Sequence, residues 1–139
     1  MIDASQAVAH LQQTLDGLSN QSSPPIGNGL IGKTGIWEGV GQQENPMVSW
    51  TIRINITENE QTIEYPSLSC GGTLALLEET DAQLVFRETI TFGIGGCVDQ
   101  GFVELTDQSA NELVYRWYYP DNNNGQGILG AVGTVTKSN

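Results

Sequence analysis

One carboxylate interrupts an otherwise apolar strand face in the middle of the chain. Glu88 alternates in register with Leu84, Phe86, Ile90 and Phe92. A carboxylate on an inward face costs several kcal/mol unless it is paired or hydrogen-bonded. We therefore interpret Glu88 in one of three ways: as a polar anchor at the floor of a ligand cavity, as a general base with a raised pKa, or as a structural residue that fixes strand register.

Aromatic side chains share the predicted interior with this carboxylate. The inward aromatic residues are Trp37, Trp50, Tyr65, Phe86, Phe92, Tyr115, Trp117 and Tyr119. An eight-stranded barrel is wide enough for its own side chains or for one small ligand. Two alternatives follow, a core packed solid by aromatic rings or a small-molecule pocket. For the pocket, the predicted ligand-binding residues are Trp50, Tyr65, Glu88, Tyr115 and Trp117.

Eight segments with strand character position these residues. They are 36–43, 47–57, 60–68, 73–79, 82–92, 98–106, 112–119 and 127–137. The links between them are short and rich in Gly, Asn and Asp, and short links join antiparallel neighbours. We predict an all-β fold, an eight-stranded antiparallel up-and-down barrel of calycin-like form, because closure removes both exposed edges. A two-sheet sandwich is the alternative.

The alternation of apolar and polar residues indicates which strand faces are buried. In the second segment Ile52, Ile54 and Ile56 are separated by polar residues, which is typical of a half-buried strand. In the seventh segment Tyr115 and Trp117 flank the outward Arg116 in the same way. The eighth segment is apolar on both faces, so its inward face is not assigned.

Residues 1–34 form a different region from the strand-rich residues 35–139. Between residues 3 and 19, Val8, Leu11, Leu15 and Leu18 recur at helical spacing. We predict a short N-terminal helix, followed by a linker rich in Ser, Asn and Pro. The helix is interpreted either as a lid over apolar surface or as a contact for a protein partner.

The two cysteines, Cys70 and Cys97, both lie in glycine-rich corners. Strands two apart in a sheet are separated by roughly 9–10 Å, which is beyond the reach of a disulfide. The corners Cys70-Gly71-Gly72 and Gly93–Cys97 can nevertheless fold over the intervening strand and meet. We predict a disulfide, with two buried thiols as the alternative. A disulfide indicates an oxidising compartment, although residues 1–5 lack the features of a signal peptide.

Charge and composition argue against several classes of function. Sixteen acidic residues oppose five scattered basic residues and give a net charge of −11, which disfavours nucleic acid and anionic membranes. No apolar run approaches 18 residues, so we expect no membrane insertion. His10 is the only histidine and no cysteine pair has ligand spacing, so we expect no metal and no cofactor.

Several short motifs between residues 36 and 134 carry a family resemblance. They are Trp37-Glu38-Gly39, the run 65–74 with its Tyr-Pro-x-Leu-x-Cys pattern, Phe86-Arg87-Glu88 with Ile90, Cys97 with Gly101, and 113–117. This pattern resembles uncharacterised bacterial domains that are appended to serine/threonine kinases and occur in secreted proteins. The Trp-x-Gly element is also similar to lipocalin-like and avidin-like barrels, which bind small molecules in the barrel mouth.

The resemblance implies an extracytoplasmic β domain with a Cys70–Cys97 disulfide and a sensing or binding role. It supplies no ligand and no catalytic residue. We therefore expect a non-enzymatic barrel that binds a small apolar or aromatic ligand, or a protein partner. The alternatives are a small isomerase or hydrolase with Glu88 as general base, and a solid-packed interaction module.

Overall fold

The computed structural model describes residues 29–44 and 46–138, which form a closed barrel of eight antiparallel strands. Each strand pairs with the next one along the chain, and the last pairs with the first. The strands are β1 (Gly35–Gln43), β2 (Val48–Ile56), β3 (Gln61–Tyr65), β4 (Cys70–Glu79), β5 (Gln83–Phe92), β6 (Phe102–Ser109), β7 (Glu112–Pro120) and β8 (Gln126–Lys137). The predicted up-and-down barrel is confirmed, and the sandwich alternative is wrong.

The predicted helix at residues 3–19 lies outside the described residues. Within them, the segment before the barrel contains a short 3-10 turn, Ile31–Lys33, that leads directly into β1. No helix in residues 29–44 and 46–138 has the length and apolar character needed to cross a membrane.

Alternation places the core where the sequence predicts it. Ile52, Ile54 and Ile56 of β2 are buried, while Arg53 and Asn55 between them are exposed. Trp37 of β1 is also fully buried, as predicted. On β8, which was not assigned from the sequence, Ala131 and Val135 are the buried pair. The interior is therefore lined by alternate residues of every strand, as a closed barrel requires.

Several strand boundaries differ from the prediction; β4, for example, begins at Cys70 and not at residue 73, and the end of β3 and the start of β6 differ as follows. β3 ends at Tyr65, and residues Pro66–Leu68 form a 3-10 turn, since proline has no N–H group to continue the ladder. Ser69 then adopts a left-handed conformation with φ of 58° before β4 begins. β6 begins at Phe102, four residues later than predicted, because residues 93–101 form a loop between β5 and β6.

Phe92 was predicted to face inward, and this is wrong. Its side chain is 45% exposed. The pairing of β4 with β5 shifts between Gly71 and Gly72, so that Gly71 pairs with Phe92 and Gly72 with Ile90. One extra residue in β5 reverses the alternation, as a β-bulge does. The ring of Phe92 consequently lies over Gly71 on the outer face.

The two barrel ends are built differently. We call the end with the β2–β3, β4–β5 and β6–β7 turns the closed end, because Lys33 is buried there. The Nζ atom of Lys33 lies 3.0 Å from the backbone oxygen of Asp81 and 3.1 Å from Oδ1 of Asp107. On the side of Lys33 that faces the barrel interior, Nε1 of Trp37 donates a 2.9 Å hydrogen bond to the backbone oxygen of Lys33. We call the opposite end, with the loops at 66–69, 93–101 and 121–125, the open end.

Candidate functional site

A cavity of about 140 Å³ lies in the open end of the barrel. All five residues predicted to bind a ligand line it: Trp50 from β2, Tyr65 from β3, Glu88 from β5, and Tyr115 and Trp117 from β7. Closure of the barrel brings together residues that are up to 67 positions apart along the chain (117 minus 50). The barrel interior at this end is therefore not completely filled by side chains.

Strand register explains why these side chains converge. Tyr115 and Trp117 are buried neighbours on the inner face of β7, on either side of the partly exposed Arg116. Tyr65 is the last residue of β3, immediately before the Pro66 turn, so its ring lies near the open end. Glu88 pairs with Leu74 of β4 and is 1% exposed. Its inward position agrees with the alternation of β5.

A chain of hydrogen bonds converges on the Glu88 carboxylate. The Tyr65 hydroxyl lies 2.6 Å from Oε2, and Nε1 of Trp117 donates to Oε1 at 3.0 Å. The Tyr115 hydroxyl is 2.8 Å from that of Tyr65. An ionised Glu88 can only accept, so Tyr65 donates to it and Tyr115 in turn donates to Tyr65. Both carboxylate oxygens are thus bonded without a basic residue.

Burial dominates the electrostatics of this network. It raises the pKa of Glu88 above the ordinary value of 4.5, and the hydrogen bonds from Tyr65 and Trp117 offset only part of that rise. Asp99 adds a smaller upward contribution because its negative charge opposes ionisation. Burial likewise raises the pKa of Tyr65 and of Tyr115 well above 10.0, so both hydroxyl groups stay protonated at neutral pH.

Trp50 brings a second polar atom to the cavity. Its Nε1 atom is buried and makes no hydrogen bond of good geometry with the described residues. It lies close to Tyr115, whose pKa is raised by burial and lowered in part by this neighbour. A buried N–H group without a well-aligned acceptor is uncommon in proteins and offers a bonding position to a guest molecule.

Among the described residues, none that lines the cavity has a basic side chain. The five Lys and Arg residues lie elsewhere: Lys33 at the closed end, Lys137 over the Trp37 ring, Arg53 beside Glu38, Arg116 beside Glu104, and Arg87 bonded to the backbone oxygen of Gln100. Of the residues that the structure describes in the lining, Glu88 alone has a carboxyl group. The charge that the cavity can carry is therefore negative.

The rim of the cavity contains residues that sequence reasoning did not assign to the site. They are Gln43, Leu68, Gly96, Cys97, Val98 and Tyr119. All come from the strand ends or loops of the open end. Tyr119 was predicted to face inward, but a register shift in the pairing of β7 with β8 leaves it 36% exposed at this rim. These residues could have been found from the predicted topology. In an up-and-down barrel alternate connecting loops lie at the same end, so the loops after β1, β3, β5 and β7 all lie at the end where Tyr65 is.

A disulfide and an aspartate hold the rim loop in place. Cys70 and Cys97 form the predicted disulfide, with their Cα atoms 6.3 Å apart. Oδ1 of Asp99 accepts hydrogen bonds from the backbone N–H groups of Ile90 and Gln100, each at 2.8 Å. These backbone bonds, that of Ile90 first, lower the pKa of Asp99. Loop 93–101 is thus attached both to β4 and to β5.

The arrangement offers a hydrogen-bond acceptor at the floor of an aromatic-walled cavity. Within residues 29–44 and 46–138, no group of His, Cys, Asp and Glu side chains is arranged to hold a metal ion. Comparisons of the chain with protein families, curated proteins and solved structures give no significant match. The site's own geometry therefore carries the functional argument.

Proposed function

We propose that this protein is a ligand-binding barrel that holds one small molecule in the cavity at its open end. The observation that carries the proposal is the cavity itself, with Glu88 at its floor and Trp50, Tyr65, Tyr115 and Trp117 in its walls. Binding sites in proteins are typically concave and apolar, with a few convergent polar groups. A solid-packed structural module would have no such space.

The cavity volume limits the size of the ligand. About 140 Å³ is close to the roughly 150 Å³ of an engineered cavity that admits benzene, and below the roughly 300–1,000 Å³ of pockets for drug-sized molecules. We therefore propose a ligand of about one aromatic ring, with any longer substituent directed out through the rim. Fatty acids and folded peptide segments are too large to be enclosed.

The proposal gives the protein a binding or sensing role of the calycin type, in an extracytoplasmic setting. The Cys70–Cys97 disulfide supports that setting, because disulfides persist in oxidising compartments. The resemblance to bacterial extracytoplasmic domains points in the same direction. An enzyme with Glu88 as general base stays a prediction, and turnover of a bound molecule would be its signature.

A pair of matched variants tests the proposal. Val98 at the rim and Val40 on the outer face of β1 are 48% and 49% exposed, so both tolerate a larger side chain. We expect Val98→Trp to obstruct the cavity and Val40→Trp to leave it open. Binding of one-ring probe molecules is followed by NMR shifts of the Trp50 and Trp117 indole N–H groups, and co-purifying ligands by native mass spectrometry.

The expected result is saturable binding by the wild type and Val40→Trp, and a marked loss of affinity in Val98→Trp. Failure of a broad panel of one-ring molecules to shift either indole signal would overturn the proposal. Equal binding by both variants would place the bound molecule outside the cavity and would overturn it as well.

A further inference from the structure

We infer that the ligand is a small organic cation, with its positive group bonded to Glu88 and its carbon atoms against the surrounding aromatic rings. This inference rests on the proposed function, because it names the ligand class for the same cavity. It is carried by the lining in the described part of the chain, which has one carboxyl group, aromatic walls and no basic side chain.

The first argument is the unused bonding capacity of Glu88. An ionised carboxylate offers about four acceptor positions on its two oxygens. Tyr65 and Trp117 occupy one position on each oxygen. A guest with N–H groups can therefore bond to either oxygen without displacing the protein donors. A carboxylate or phosphate guest would instead place a like charge beside the buried Glu88 carboxylate.

The second argument is the missing counter-charge. A buried carboxylate is normally paired with a basic residue, and here the five basic residues of the chain are engaged elsewhere. In residues 29–44 and 46–138, the network around Glu88 is built from the neutral donors Tyr65, Tyr115 and Trp117. A cationic guest would supply the missing charge and remove the main cost of keeping Glu88 ionised.

The third argument comes from the walls. Aromatic rings attract cations through the negative charge of their faces, most strongly in desolvated sites and for Trp. Trp50 and Trp117 both line the cavity, as do Tyr65, Tyr115 and Tyr119. The net charge of −11 also raises the local concentration of cations around the protein. The interior and the overall charge thus favour the same class of ligand.

A neutral guest is the competing occupant. If Glu88 stays protonated, the cavity would prefer an uncharged molecule that exchanges hydrogen bonds with the carboxyl group. Three probes with one ring and nearly the same shape separate these cases: benzylammonium, benzyl alcohol and benzoate. Each is titrated at neutral pH into the intact disulfide-bonded protein by isothermal calorimetry and by NMR of the indole N–H groups.

We expect benzylammonium to bind at least about 10-fold more tightly than benzyl alcohol, since only the ammonium group adds the attraction of opposite charges to its hydrogen bond with Glu88, and benzoate to bind weakest. Glu88→Gln keeps the shape of the side chain and removes its charge. We expect this variant to lose about 10- to 100-fold in affinity for benzylammonium while its affinity for benzyl alcohol changes little.

Stronger binding of benzyl alcohol or benzoate than of benzylammonium would overturn the inference and leave the ligand-binding proposal standing. Binding of none of the three, together with failure of the broader panel, would overturn both. The wild-type comparison decides the matter even if Glu88→Gln does not fold. If the variant folds, benzylammonium affinity equal to that of the wild type also overturns the inference.

Discussion

The hydroxyl group of Tyr65 donates a 2.6 Å hydrogen bond to Oε2 of Glu88, inside the barrel and away from any basic side chain. The same hydroxyl accepts from Tyr115, so Tyr65 is hydrogen-bonded to two other buried polar groups. Tyr65 therefore stabilises the site and favours the ionised form of Glu88, against the effect of burial on the Glu88 pKa.

Tyr65→Phe should destabilise the protein and raise the pKa of Glu88 further. The substitution leaves the Oε2 atom of Glu88 and the Tyr115 hydroxyl without their partner, at about 1–3 kcal/mol for each unsatisfied group. The hydrogen bond that is lost is one that lowers the pKa of Glu88. Urea denaturation measures the first effect and a ¹³C NMR titration of the Glu88 carboxyl carbon the second.

Tyr115→Phe is the matched control. It removes the hydroxyl group that is farthest from Glu88 in the hydrogen-bond network and keeps the hydrogen bond between Tyr65 and Glu88. We expect a smaller loss of stability and a smaller change in the Glu88 pKa. Equal effects of the two substitutions on that pKa would contradict the direction of the network.

Glu88 should make the protein less stable as pH rises. Burial raises its pKa in the folded state above the ordinary 4.5, so between these two values the folded protein binds more protons than the unfolded chain. The free energy of unfolding therefore falls across this interval and levels off above the folded-state pKa. Glu88→Gln lacks the titration and should gain stability relative to the wild type over the same pH range.

Urea midpoints of both proteins between pH 4 and pH 8 measure this difference. The difference between the two proteins removes the contribution that Asp99 makes to the pH dependence of stability. The pKa of Asp99 is lowered, so that contribution increases with pH and belongs to a lower pH range. A wild-type-minus-variant difference that stays constant with pH would mean that Glu88 has an ordinary pKa.

Reduction of the Cys70–Cys97 disulfide should lower stability by about 3.5 kcal/mol. The two cysteines are 27 positions apart, and the chain-entropy argument gives this figure for a closed loop of that length. The change is measured by urea denaturation with and without a phosphine reductant. A Cys70→Ala/Cys97→Ala variant is the control and should not respond to the reductant, whereas labelling of free thiols in the untreated protein would contradict the bridge.

Asp107→Ala should destabilise the barrel more than Lys33→Met. The first substitution removes the carboxylate from a fully buried ammonium group, a change that typically costs about 3–5 kcal/mol. The second keeps the apolar stem of the side chain and leaves Asp107, whose side chain is 15% exposed, in reach of water. Thermal denaturation of both variants at pH 7 compares them, and the reverse order would contradict this account of the closed end.

Sequence reasoning found the barrel and its inward residues because alternation is a property of single strands. The pattern of Ile52, Ile54 and Ile56 needs no knowledge of neighbouring strands, and Glu88 is conspicuous because it breaks such a pattern. Phe92 was misplaced because a bulge depends on pairing between two strands. Lys33 was missed because its burial depends on Asp81 and Asp107, which only the closed barrel brings near.

Cavity volume was equally out of reach of sequence reasoning. It depends on how far Trp50, Trp117 and their neighbours fill the space between strands, and composition is compatible with both a solid core and a pocket. The direction of the Tyr115–Tyr65–Glu88 bonds likewise requires atomic positions.

Lys33 is buried beneath Trp37 and fills the closed end of the barrel. In the part of the chain described, a molecule in the cavity therefore exchanges with solvent through the open end. Arrival and departure then cross the same barrier, formed by rim residues such as Val98 and Tyr119. A rim substitution that alters only this barrier changes both rate constants by the same factor and leaves the dissociation constant untouched. Substitutions that change only the barrier at the rim therefore alter the residence time of the ligand at constant affinity, whereas one that fills the cavity, such as Val98→Trp, lowers the affinity itself.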